Sequence, residues 1–136
     1  MSGLFHISER THSGLILMTC LAERHANEEP VTLKDVALRM RLSEGYLEEV
    51  AASLRSAGLI KGRTGPKGGY VLVRTPDAIT TEDIVTALEG PIALVGCQET
   101  GVTCPVEGGC SSKRVWHSLQ RRIQSSLRET TLAELV

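Results

Sequence analysis

The residues best suited to chemistry are three cysteines in the stretch CQETGVTCPVEGGC, where Cys97, Cys104 and Cys110 follow a C-x6-C-x5-C spacing. Gaps of this length let each sulfur reach a shared centre with no regular element between them. Gly101, Gly108 and Gly109 give the backbone freedom to wrap. Thiolates so placed can hold an iron–sulfur cluster, act as a redox thiol pair, or bind zinc. The lack of C-x-x-C knuckles counts against zinc. The fourth cysteine, Cys20, lies in the apolar stretch SGLILMTCLAERH and reads as a small buried hydrophobe. No glycine loop of the phosphate-binding kind precedes a helix, and no nucleophile has a matched base, so the sequence offers little for an enzyme.

The rest of the chain must position those thiols. At 136 residues it is long enough for one domain with an extension. The 41% apolar and 3% aromatic content points to a core of Leu, Val, Ile and Ala, built mainly by helices. No apolar run reaches the ~20 residues that span a bilayer. The opening MSGLFHISERTH lacks the order of a secretory signal, so a cytoplasmic protein with no membrane partner is expected. Thiols there stay reduced, which favours metal or redox roles over structural disulfides. Net charge is −1, yet Val31 to Arg74 holds eight basic and four acidic residues, leaving that segment at +4 and the remainder at −5. A local surplus of this kind can supply phosphate contacts.

Apolar spacing predicts a first helix from Thr11 to His25, with Leu15, Met18, Leu21 and Ala22 on its inner side. TLKDVALRM predicts a short second helix that turns Val36, Ala37 and Met40 inward. Arg41 and Leu42 make a tight turn, and Ser43 caps a third helix. Tyr46, Leu47, Val50, Leu54 and Ala57 are its expected inner face, and Gly58 stops it. Two helices joined this way form a helix-turn-helix. Leu59–Arg63 and Tyr70–Arg74, joined by a glycine-rich loop, follow as a hairpin wing over about residues 59–74. Thr80 or Thr81 caps a fourth helix that Gly90 ends. PIALVG leads into the cysteine segment, and a long last helix runs from Ser111 to about Glu129. Its stripe of Val115, Trp116, Leu119, Ile123 and Leu127 opposes a basic face and suits pairing with a second copy. The expected fold is mainly α with a small β-hairpin wing. Residues 1–90 form a winged helix-turn-helix, 91–110 the cysteine segment, and 111–136 a dimerisation helix and tail.

The order of elements, the string GPKGGYVLVRTPDAITTEDIVTALEG, the following PIALVGC with its cysteines, and the W-x-x-L-x-x-x-I…TTLAEL ending together carry a likeness. The chain resembles the winged-helix iron–sulfur regulators, the family of IscR, NsrR, RsrR and SufR-like repressors. The likeness covers nearly the whole chain. It implies a homodimeric repressor of iron–sulfur assembly, iron or redox and nitrosative-stress genes that binds double-stranded operator DNA under control of a cluster. Cys97, Cys104 and Cys110 would be the cluster ligands. The IscR branch has a histidine three residues past the last cysteine, where this chain has Lys113. The NsrR branch uses an acidic residue of the first helix, and His12 stands at that place, so His12 is the expected fourth ligand, taken from either chain of the dimer, with Glu9 as second choice. Nitrogen ligands raise the potential of 2Fe-2S centres, which suits a redox sensor, so 2Fe-2S is expected ahead of 4Fe-4S. By the same likeness Ser43, Gly45, Tyr46 and Glu48 would face bases in the major groove, with Glu48 able to accept from cytosine. Arg63 and Lys67 on the wing would approach the minor groove or backbone. Thr64 stands where IscR has an arginine, which weakens insertion at that position. The alternative is a cluster-free winged-helix regulator that senses thiol oxidation through the same cysteines.

Overall fold

A computed structural model describes residues 5–66, 68–99, 101–103, 105–106 and 109–136. Helix α1 (Glu9–His25) starts two residues earlier than its apolar spacing alone suggests, because Ser8 caps it by accepting from the Thr11 amide. Leu17, Met18, Leu21 and Ala22 are buried on its inner face, against helices α3 (Glu44–Ser56) and α4 (Thr81–Glu89). Helix α2 (Leu33–Met40) is capped by Thr32, whose hydroxyl accepts from the Asp35 amide at 3.1 Å.

The turn between α2 and α3 has the geometry that its sequence implied. Arg41 takes the left-handed conformation at φ 55° and returns its amide to the Ala37 carbonyl. Ser43 then caps α3 through the Tyr46 amide. Leu47, Val50 and Leu54 are fully buried; Tyr46 is half-buried. Two inward expectations differ from the structure. Met40 is exposed, since α2 is too short to carry its last turn over the core, and Ala57 lies outside as the C-cap of α3.

Strands β1 (Ile60–Arg63) and β2 (Gly69–Leu72) pair antiparallel, with Ile60 opposite Leu72 and Arg63 opposite Gly69. The hairpin is pinned to the body by residue 31. The Val31 amide donates to the Tyr70 carbonyl at 3.0 Å, and the Tyr70 amide donates to the Val31 carbonyl at 2.8 Å. Gly69 allows that approach: a Cβ there would sit 2.6 Å from the Val31 carbonyl oxygen.

Thr80 opens α4 with a reciprocal capping box: its hydroxyl accepts from the Asp83 amide while the Asp83 carboxylate accepts from the Thr80 amide. The last helix, α5 (Ser111–Glu129), has no fully buried residue among its nineteen. Its base is fastened to α4, where Thr81 donates to the Leu127 carbonyl and Arg128 meets Glu82 in a two-pronged ion pair at 3.1 and 3.2 Å. Beyond α5 the chain folds back. Thr131 bridges Thr80, the Leu132 amide donates to the Ile79 carbonyl at 2.8 Å, and the Leu132 side chain is fully buried in the same core as Leu17, Leu54 and Ile84.

Candidate functional site

Two surfaces carry the residues singled out from the sequence. The first is the outer side of the helix-turn-helix and its wing. Gly45 and Glu48 on α3 are exposed, as is Ser43, whose hydroxyl is engaged as the cap; Tyr46 is half-buried against the core. α3 is thus held by Leu47, Val50 and Leu54 and offers the opposite face to solvent. That face also carries Glu44 and Glu49; exposed cations stand on the neighbouring elements, Lys34, Arg39 and Arg41 around α2 and Lys61 and Arg63 on β1, with Arg39 paired to Glu23 on α1. Arg63 is exposed and donates one arm to the Glu28 carbonyl at 3.2 Å, which ties the wing to the turn after α1. Lys67 lies outside the described residues.

The second surface is the segment between α4 and α5. Cys97 is exposed within a 3-10 turn, Gly96–Gln98. Cys110 is half-buried at the N-cap of α5, with no side-chain capping bond, and both are free thiols. Cys104 lies outside the described residues. His12 is exposed on α1. Among the described residues, no three His, Cys, Asp or Glu side chains come together as a metal-binding group, so His12, Cys97 and Cys110 are not gathered into one within this chain. The donor chemistry fits an iron–sulfur cluster, since accessible free thiols are what such clusters bind.

Cys20 stands apart from this set, buried in α1 as the sequence suggested. Burial pushes its thiol up, although the Arg39 guanidinium donates to its sulfur at 2.9 Å and pulls the other way.

What links the two surfaces was not read from the sequence. The Glu89 carboxylate, at the C-terminal end of α4, takes hydrogen bonds from the Ser8 hydroxyl and, at 2.7 Å, from the Thr11 hydroxyl. Those two donors hold its carboxyl below the usual range. Arg10 donates to the Leu88 carbonyl at 3.2 Å and to the Ser53 hydroxyl on α3. The start of α1 therefore joins the end of α4, from which the cysteine segment departs, to α3. Ser8-x-x-Thr11 is visible as a cap pattern, but its pairing with residues near 89 has no local signature.

A helix-turn-helix followed by a pinned hairpin wing and a projecting last helix defines a winged-helix transcriptional regulator. The chain belongs to the Rrf2 family, whose model, described as an iron-dependent transcriptional regulator, matches residues 7–136. It is 40% identical over 129 residues to the HTH-type transcriptional regulator CymR of Bacillus subtilis, covering 95% of this chain and 88% of that one. The solved structure of that relative, titled the global cysteine regulator of B. subtilis, superposes with a TM-score of 0.79 at 39% identity over 96% of this chain and 95% of the other. An IscR structure from T. potens gives a TM-score of 0.77 at 37% identity, covering 96% of this chain and 85% of that one. An oxidized form of Staphylococcus aureus CymR gives 0.76 at 32% identity, covering 96% and 95%. Members of this family are DNA-binding transcriptional regulators rather than enzymes. Among the described residues, no helix is long and apolar enough to cross a membrane.

Proposed function

We propose that this chain acts in the cytoplasm as a homodimeric repressor whose hold on operator DNA is set by an iron–sulfur cluster on Cys97, Cys104 and Cys110, and whose targets are iron–sulfur assembly, iron or redox-stress genes. The observation that carries this reading is the placement of the thiols. Cys97 is exposed and Cys110 half-buried, toward the two ends of the segment joining α4 to α5, while Cys20 is shut in the core. When bound, a cluster supplies a one-electron redox centre and a tie among the thiolates. His12, exposed on α1, is the proposed fourth ligand, offered by this chain or its copy, with 2Fe-2S favoured over 4Fe-4S.

The chain's own residues do the rest. Glu89 holds Ser8 and Thr11, and Arg10 holds Ser53, so a displacement at the end of α4 is passed to α3 through hydrogen bonds. Val115, exposed, and half-buried Trp116, Leu119 and Ile123 form the stripe that a second copy covers. Dimerisation spaces the two α3 helices for two half-sites. Ser43, Gly45, Tyr46 and Glu48 face the major groove, and Arg63 and Lys67 reach the minor groove or backbone.

The test is anaerobic purification with iron and sulfide counts and visible and EPR spectra, for the natural chain and for Cys104→Ala and His12→Ala, followed by operator gel shifts. Colourless, iron-free protein with normal operator binding would refute the cluster reading. A second reading is favoured by the oxidized S. aureus CymR structure: thiol oxidation at the same cysteines without a cluster. It predicts iron-free protein whose operator affinity changes with peroxide and returns with a dithiol.

A further inference from the structure

One short run, residues 28–31, holds the wing at two levels. Val31 exchanges both backbone hydrogen bonds with Tyr70 on β2. Earlier in the run, the Glu28 carbonyl accepts from the Arg63 guanidinium at 3.2 Å. Arg63 stands opposite Gly69 on the last rung of the ladder, beside the loop that forms the tip of the wing. Pro30 lies between the two anchors, and its fixed φ, with the restriction it sets on Glu29, keeps the run stiff.

Glu28 takes the left-handed conformation, at φ 54°. The cause is the way α1 ends. The Glu28 amide donates to the His25 carbonyl at 3.0 Å and the Glu29 amide to the Arg24 carbonyl at 3.3 Å, the paired bonds of a helix that stops on a left-handed residue. Glycine is the usual residue there, because a Cβ is strained at such φ. Strain kept in an exposed turn asks for a reason. The turn sends the chain back toward the hairpin and leaves the Glu28 carbonyl to meet Arg63.

An arginine carries five N–H donors in a planar fork. Arg63 is exposed, and among the described residues its guanidinium bonds only to Glu28. With one donor fixed on the body, the remaining donors hold a set direction instead of sweeping solvent. That lowers the ordering cost of meeting a phosphate oxygen.

We propose that Glu28 is a positioning residue for DNA binding: its left-handed turn holds the wing guanidinium in place for the duplex backbone. This rests on the reading of Arg63 as a DNA contact. Glu28 acts through Arg63 and makes no contact of its own with the duplex.

The test uses the full chain and a duplex that it selects from a random pool, with affinity read by fluorescence anisotropy over a range of salt. Glu28→Gly keeps the turn, and Glu28→Val opens it, since a β-branched side chain is an outlier at that φ. Both remove the same charge, so their difference reports the turn alone. Glu28→Val should bind at least about fivefold more weakly than Glu28→Gly, with a salt dependence lower by about one phosphate contact. Arg63→Ala should weaken binding by a similar factor in the Glu28→Gly chain and by under about twofold in the Glu28→Val chain. Arg63→Lys keeps the charge without the fork and gives a measure independent of the turn; it should bind at least about threefold more weakly than the natural chain. Equal binding by the two Glu28 variants, additive losses from Glu28→Val and Arg63→Ala, or full binding by Arg63→Lys would overturn the positioning role and leave the contact standing. Tighter binding by Glu28→Val would overturn it too, since the carbonyl would then be withholding Arg63 from DNA. Full binding by Arg63→Ala would remove the contact as well.

Discussion

Replacing Gly69 by alanine should detach the wing while leaving the helical body folded. The added methyl would meet the Val31 carbonyl oxygen at 2.6 Å, the Val31 carbonyl carbon at 2.8 Å and the Thr32 nitrogen at 3.2 Å. All three are backbone atoms, so no side chain can swing aside. Relief requires the two segments to part by roughly 0.7 Å, judged against ordinary carbon–oxygen contact distances. The Val31–Tyr70 hydrogen bonds, now 2.8 and 3.0 Å, would then pass beyond hydrogen-bonding range. Two such bonds are worth about 1–3 kcal/mol together. A side chain at φ 145° adds strain of about 1–3 kcal/mol. Allowing for partial relaxation, the loss should be about 2–4 kcal/mol. That is less than the whole stability of a typical domain, about 5–15 kcal/mol. Chemical denaturation should report the loss, and amide exchange should show Tyr70 and Val31 opening while Leu17, Leu47 and Leu54 stay protected. Because Arg63 sits opposite Gly69 at the end of the ladder, operator affinity should fall as well. A stability change under about 0.5 kcal/mol with unchanged Tyr70 protection would refute the steric reasoning.

Leu132→Ala should cost about 2–5 kcal/mol in denaturant unfolding, as for a fully buried leucine, although it lies four residues from Val136. Glu89→Gln should lose about 1 kcal/mol at neutral pH, a figure reduced for the exposure of the group. Since its folded carboxyl is held below the usual range, the contribution is present above the unfolded value and is lost as pH falls through the folded one. Stability curves of Glu89→Gln and the natural chain should therefore converge in acid, and a constant gap would contradict the assignment. Thr80→Ala should remove one arm of the α4 capping box at about 1 kcal/mol, measured by thermal unfolding. Arg10→Ala should leave iron content or thiol reactivity of the cysteine segment unchanged but weaken its effect on operator binding, compared by gel shift with and without peroxide.

The sequence by itself determined the elements whose causes are local. Ser43 before α3, Thr80 before α4, the glycines around the wing and the stripe of α5 each act within a few residues. The helices and hairpin accordingly stand where spacing and caps placed them, and likeness to a family of regulators could be read from the same strings. The burial of Cys20 was likewise legible, because an apolar helix and a glycine-rich segment differ in composition. Tertiary structure alone decided what spans the chain: Val31 against Tyr70, Leu132 in the core, Glu89 on Ser8 and Thr11, and Arg10 on Ser53. It also turned Met40 outward, since periodicity tells which residues share a face but not how far the neighbouring core extends. Such pairings join residues dozens of positions apart, and no short window carries a mark of them; they exist because closing one common core brings those backbones within hydrogen-bonding reach.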